Sequence, residues 1–173
     1  GIGALMLSSA DKLARAGADF LICPDNTIHQ ALGHVLPRSP LPWLHIAGEV
    51  AAQAAARGYR RIGILGTRWL VDSSVYPDKL EERGLQWLRP PQDDRAALGR
   101  IIMDELVHGV FKPDSVARLQ GIIARLRDAG CDAVVLGCTE LPLVLDDGNS
   151  ALPTLDSTRI LARAALARAL GAG

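Results

Sequence analysis

A chain of 173 residues is long enough to bury a hydrophobic core, as one domain or two small ones. Its 49% hydrophobic and 22% charged residues suit a globular protein, and a formal net charge of zero leaves no electrostatic footprint for nucleic acid or an anionic membrane. No apolar run approaches the ~20 residues that span a bilayer, and Gly1 to Leu7 lacks the basic region of a signal peptide.

Three cysteines, Cys23, Cys131 and Cys138, form no CxxC pair and have no histidine at zinc-finger spacing. No zinc site is expected, and the odd count suits a reducing, cytoplasmic setting. The chain opens on Gly1 rather than Met and reads as truncated.

In chain order, Ser8 to Asp11 offer helix N-caps, and a helix through Lys12 to Ala16 stops at Gly17. Phe20 to Cys23 reads as a short buried strand. Asn26 or Thr27 can cap a helix through His29, Gln30 and Leu32. Pro37 to Pro42 form a rigid loop, Trp43 to Ile46 a strand, and Ala47 to Arg57 an Ala-rich helix. Arg61 to Thr67 is strand-like, Asp78 to Arg83 helical, and Leu85 to Leu88 a strand before Pro90-Pro91. Helices follow near Leu98 to Val107 and over Asp114 to Ala129. Ala133 to Leu136 and Leu152 to Leu155 are strands, and Thr158 to Leu170 is a closing helix capped by Asp156 or Ser157.

Alternating strands and helices predict parallel sheets with βαβ crossovers. One segment also occurs twice. Gly17-Ala18-Asp19-Phe20-Leu21-Ile22 runs into Cys23-Pro24-Asp25-Asn26-Thr27, and Gly130-Cys131-Asp132-Ala133-Val134-Val135 into Leu136-Gly137-Cys138-Thr139-Glu140. Each copy reads as helix end, glycine, buried strand and polar turn. Overlaid, they set Asp25 opposite Cys138. Two related halves are expected to face each other across one cleft, because ligands bind beyond the carboxyl ends of such strands. The boundaries read as 1–50 plus 156–173 for the first half and 51–155 for the second.

Cys138 follows a glycine that allows a tight turn, and a helix N-terminus after it would favour thiolate. Asp25 reads two ways: as a turn former or helix cap, or as a second acid or base aimed at the cleft. In the second case Asn26, Thr27 and Thr139 supply donors for a substrate carboxylate, and Thr67 contacts ligand from the second half. Cys23 and Cys131 read as packing residues. His29 either orients a cleft residue or lies on a solvated helix face, while His34 and His45 carry no supporting context. Gly63 and Gly66 are not spaced as a nucleotide fingerprint.

Several of these segments resemble the aspartate/glutamate racemase superfamily. Gly137-Cys138-Thr139-Glu140-Leu141-Pro142 is similar to its Gly-Cys-Thr-Glu signature, and Asp25-Asn26-Thr27-Ile28-His29 to its Cys-Asn-Thr-x-His segment with Asp in place of Cys. Leu44 to Ala47, Gly66-Thr67-Arg68, Asp104 to Phe111 and Asp156-Ser157-Thr158 resemble further family segments. The resemblance implies an α/β fold of two pseudo-symmetric parallel-sheet domains, with the active site in the cleft between them and the first βα unit missing here. It implies cofactor-independent, PLP-independent racemisation of an amino acid, aspartate or glutamate. Cys138 and Asp25 would exchange the α-proton on opposite faces of the substrate. Asn26, Thr27, Thr67, His108, Thr139 and Glu140 would bind it, with His108 near the position of a Lys that holds an acidic side chain in many members. The implied partner is a small amino-acid or dicarboxylate substrate, and family members are often homodimers. The alternatives are a single-cysteine isomerase or decarboxylase acting on a small carboxylic acid, and a non-catalytic ligand-binding fragment.

Overall fold

A computed structural model describes residues 1–171. Ala172 and Gly173, at the end of the segment assigned above to the first half, lie outside them. In chain order the helices and strands are α1 (Ile2–Arg15), α2 (Leu32–Val35), α3 (Ile46–Ala56), β1 (Arg61–Leu65), α4 (Arg68–Val71), α5 (Val75–Glu81) and β2 (Gln86–Leu88). There follow α6 (Gln92–Asp104), α7 (Pro113–Asp128), β3 (Ala133–Leu136), β4 (Thr154–Asp156) and α8 (Ser157–Ala169). Among the described residues no helix is long and apolar enough to cross a membrane.

The α/β architecture predicted from sequence is present as a parallel sheet in the order β2-β1-β3-β4. Because side chains alternate across a strand, each face serves a different core. Ile62, Ile64, Ala133, Val135 and Leu155 pack against apolar residues of α3, α5 and α8. Leu65, Val134 and Leu136 pack against Leu98 and Ile102 of α6 and Leu119, Ile122 and Leu126 of α7. Helices thus cover both faces, as a parallel sheet requires. Gly63 lets α7 approach β1, since a Cβ there would lie 2.9 Å from Leu126 Cδ1.

Residues before α3 contribute less regular strand than the sequence predicts. Phe20–Cys23 and Trp43–Ile46 reduce to a single parallel bridge between Leu21 and Trp43. Leu21 N–H donates to Pro42 O at 2.8 Å and Leu44 N–H to Leu21 O at 2.9 Å. Pro24 and Pro42 have no N–H to extend the ladder, and Ile46 already begins α3. The predicted boundary after residue 50 falls inside α3, and that after residue 155 inside β4.

Two other elements differ from expectation. α1 starts at Ile2 and places Ser8, Ser9 and Asp11 in its interior, because Met6 and Ala10, four apart, make a buried stripe. α6 begins at Gln92 and ends at Asp104; the next residues turn through a 3₁₀ helix, Leu106–His108, to Gly109 at φ 71°.

The repeat has a physical counterpart. Gly17 and Gly130 end their helices at φ 90° and 92°, a conformation that glycine adopts without steric cost. Leu21 and Val134 sit in register and each donates to a proline carbonyl, Pro42 O and Pro153 O. In each case a helix follows, capped by a side chain that accepts from an N–H three residues on: His45 from Gly48 for α3, and Asp156 from Arg159 for α8.

Candidate active site

The polar turns lie beyond the carboxyl ends of β1 and β3 and beyond the Leu21 bridge. Together they bound a cleft of ≈170 Å³. Asp25, Asn26, Thr27, Thr67, Cys138, Thr139 and Glu140 all line it. Seven of the predicted site residues, from three separate stretches of chain, therefore share one cavity. The backbone allows this because Gly66 and Gly137 meet: a Cβ on Gly137 would sit 2.7 Å from Leu65 O and 2.5 Å from Leu70 Cδ2.

Cys138 is 8% exposed. Its thiol donates to Glu140 Oε2 at 2.8 Å, and Thr139 Oγ1 donates to the same oxygen at 2.8 Å. Burial, reinforced by the Glu140 carboxylate, pushes the Cys138 pKa up to about 12. The thiolate expected from a helix dipole is thus not favoured. The element that follows is only a three-residue 3₁₀ turn, Leu141–Leu143, too short to set up a dipole. For Glu140, partial burial alone would raise the pKa, but hydrogen bonds from Cys138 and Thr139 hold it below the usual carboxylate value. The pair is a protonated thiol bound to a carboxylate.

Asp25 is exposed at the cleft edge, and its Oδ1 accepts the Ile28 N–H at 3.0 Å. It closes the turn that starts the 3₁₀ helix Thr27–Ala31, a role the sequence offered to Asp25 as well as to Asn26 or Thr27. The turn-forming reading of Asp25 is therefore present, and the same residue also lines the cleft. His29 supports this turn from behind. It is 3% exposed rather than on a solvated face. Ile46 N–H donates to its Nε2 at 3.2 Å, so Nδ1 carries the proton and donates to Asp25 O at 2.7 Å. Burial lowers its pKa and keeps it neutral.

Asn26 is 4% exposed and held on both sides. Tyr76 Oη donates to Asn26 Oδ1 at 2.6 Å, Asn26 Nδ2 donates to Ser157 Oγ at 3.0 Å, and Ser157 Oγ donates to Leu136 O at 2.9 Å. This buried chain ties the Asp25 turn to α5, α8 and β3. One Asn26 N–H remains for the cleft. Thr27 and Thr67 bring their hydroxyls within 3.5 Å of each other across the opening.

His108 does not join the lining. It is exposed, while Val107 faces the cleft instead. In a 3₁₀ turn successive side chains point about 120° apart, so the two cannot share one direction. Ile102, Met103 and Val107 form an apolar wall that sequence reasoning did not identify, although Val107 lies within the Asp104–Phe111 segment it singled out. Tyr76 was missed as well, having no polar motif around it. Cys23 is half-buried and Cys131 is buried, its pKa pushed up to about 11 by desolvation; neither lines the cleft. Among the described residues no group of three or more His, Cys, Asp or Glu is placed to hold a metal ion.

The family model for Asp/Glu/hydantoin racemase matches residues 2–165. The broad specificity amino-acid racemase RacX of Bacillus subtilis (strain 168) is 25% identical over 161 residues, which cover 91% of this chain and 68% of the relative. A glutamate racemase of Thermus thermophilus is 35% identical over 128 residues, 70% of this chain and 44% of that protein. The structure of an aspartate racemase homologue from Pyrococcus horikoshii OT3 superposes with TM-score 0.88 at 32% identity, covering 96% of this chain and 74% of its own. The aspartate racemase of Picrophilus torridus shares the fold, with TM-score 0.76 at 22% identity over 97% of this chain and 69% of its own. With the family model matched along most of its length, the chain belongs to the Asp/Glu/hydantoin racemase family.

Proposed function

We propose that this chain carries the reaction centre of a cofactor-independent amino-acid racemase, with Asp25 and Cys138 as the two proton-transfer groups. The observation that carries this reading is that both residues, at equivalent positions of the repeat, line one cleft. In one direction the Asp25 carboxylate removes the α-proton, and the Cys138 thiol gives its proton to the opposite face of the carbanion. This leaves Asp25 protonated and Cys138 as thiolate; the reverse direction exchanges the roles. Burial keeps Cys138 protonated in the resting state, as the donor must be. In the resting state the thiol donates its hydrogen bond to Glu140. The free N–H of Asn26 and the hydroxyls of Thr27 and Thr67 bind the substrate carboxylate and stabilise charge that spreads onto it in the transition state, while Thr139 keeps its hydroxyl hydrogen on Glu140.

The test is proton exchange at the α-carbon in D₂O, followed by NMR together with optical rotation. Deuterium uptake with loss of optical activity is the expected result. Absence of exchange with every amino acid tried overturns the reading.

A second reading is favoured by one feature, the carboxylate at position 25 paired with a single buried thiol. A one-cysteine isomerase or decarboxylase needs only Cys138 as proton donor to one face. It gives a single enantiomer from a prochiral acid and no racemisation.

A further inference from the structure

Resting on the racemase reading, we infer that the cleft selects amino acids with an aliphatic side chain, neutral or basic, and disfavours a second carboxylate. Charge is the first argument. Among the described residues, the lining contains two carboxylates, Asp25 and Glu140, and no Lys, Arg or His. The amide and hydroxyl donors suffice for one substrate carboxylate. A second would enter a small, partly enclosed space beside two like charges with no countercharge.

Arg68, Arg95 and Lys112 are engaged elsewhere. The Arg68 guanidinium lies over the Trp69 ring at 5.7 Å and lines a separate groove. Arg95 pairs with Asp72, and Lys112 lies 3.3 Å from Glu105.

Shape is the second argument. Ile102, Met103 and Val107 present an apolar wall where a side chain would lie. Met103 is 39% and Val107 48% exposed, so apolar surface there is open to be covered by a ligand. Burying aliphatic carbon against it is favourable, whereas a carboxylate would lose hydration for no partner.

The inference is tested by α-proton exchange with both enantiomers of methionine, leucine, lysine, aspartate and glutamate. Methionine, leucine or lysine is expected to exceed aspartate and glutamate in kcat/KM by about 100-fold. Val107→Arg, at an exposed wall position, should reduce that preference at least about tenfold by supplying a countercharge. Aspartate or glutamate exchanging as fast as methionine overturns the inference while leaving the racemase reading intact. If no amino acid exchanges, the racemase reading falls, and calorimetric binding to the Cys138→Ser protein decides this one separately. Methionine binding more tightly than aspartate upholds it, and equal or weaker binding overturns it.

Discussion

The Cys138 thiol and the Thr139 hydroxyl donate to one and the same oxygen, Glu140 Oε2, each across 2.8 Å. The three residues form a closed polar unit within one turn. Removing the Glu140 charge should therefore act on the thiol. Glu140→Gln takes away a negative neighbour that opposes ionisation, and the Cys138 pKa falls from about 12. A drop of one unit makes thiolate about tenfold more abundant at a given pH. Alkylation of Cys138 at pH 8, scored by mass spectrometry to separate it from Cys23 and Cys131, should accelerate accordingly. An unchanged rate would show that burial alone sets the pKa.

Cys138→Ser should abolish turnover while leaving ligand binding nearly intact, because a serine hydroxyl is a far weaker acid in the same buried position. Asp25→Cys should raise racemase activity if position 25 faces the α-carbon. It also removes the carboxylate that accepts Ile28 N–H, a loss of about 1 kcal/mol of the kind seen at helix caps. Exchange rates and a urea unfolding curve on the same protein keep the two effects apart.

Asn26→Ala strands the buried Tyr76 hydroxyl and frees Ser157 Oγ from its donor. Two buried hydrogen bonds lost without replacement should cost about 2–4 kcal/mol. Chemical denaturation measures this directly. A variant as stable as the parent would mean that water fills the gap.

Stability should fall in acid through the histidine pair. Burial first, then the neighbouring His29 and Lys79, push the His45 pKa down to about 3. The unfolded chain binds a proton near pH 6.5, so between these values it holds more protons than the folded one and stability rises with pH. The contribution of neutral His45 is complete above about pH 6.5 and is lost as pH falls toward about 3. His45→Asn keeps a capping side chain at α3 but cannot protonate. Its stability should change less with pH across that window.

Gly137→Ala would force a methyl group to within 2.7 Å of the Leu65 carbonyl oxygen, a backbone atom that cannot yield without moving β1. A cost of about 2–3 kcal/mol is expected, along with reduced turnover because Cys138 is the next residue. Thermal unfolding and the exchange assay read the two consequences.

Much of the frame was legible in the chain. Short apolar runs at Ile62–Leu65 and Ala133–Leu136, each between helical stretches and turn glycines, marked the buried parallel strands because backbone period and burial act locally. The closing helix offered Asp156 or Ser157 as its cap, and Asp156 takes that place. The edges failed where local signals compete with packing. Ser8 and Ser9 suggested a cap inside α1, yet the Met6 and Ala10 stripe kept the helix continuous. The Phe20–Cys23 run carried strand propensity, but prolines limited its ladder to one bridge.

The sequence by itself determined that two polar turns, one carrying Cys138 and one Asp25, follow matching Gly-led segments, since repeat and residue chemistry are properties of the chain. Only the tertiary structure decided that those turns share a cleft, that Val107 rather than His108 faces it, and that burial, reinforced by Glu140, keeps Cys138 a thiol. Those outcomes depend on rotation about a 3₁₀ turn and on desolvation by distant elements. Neither is encoded in the order of neighbouring residues.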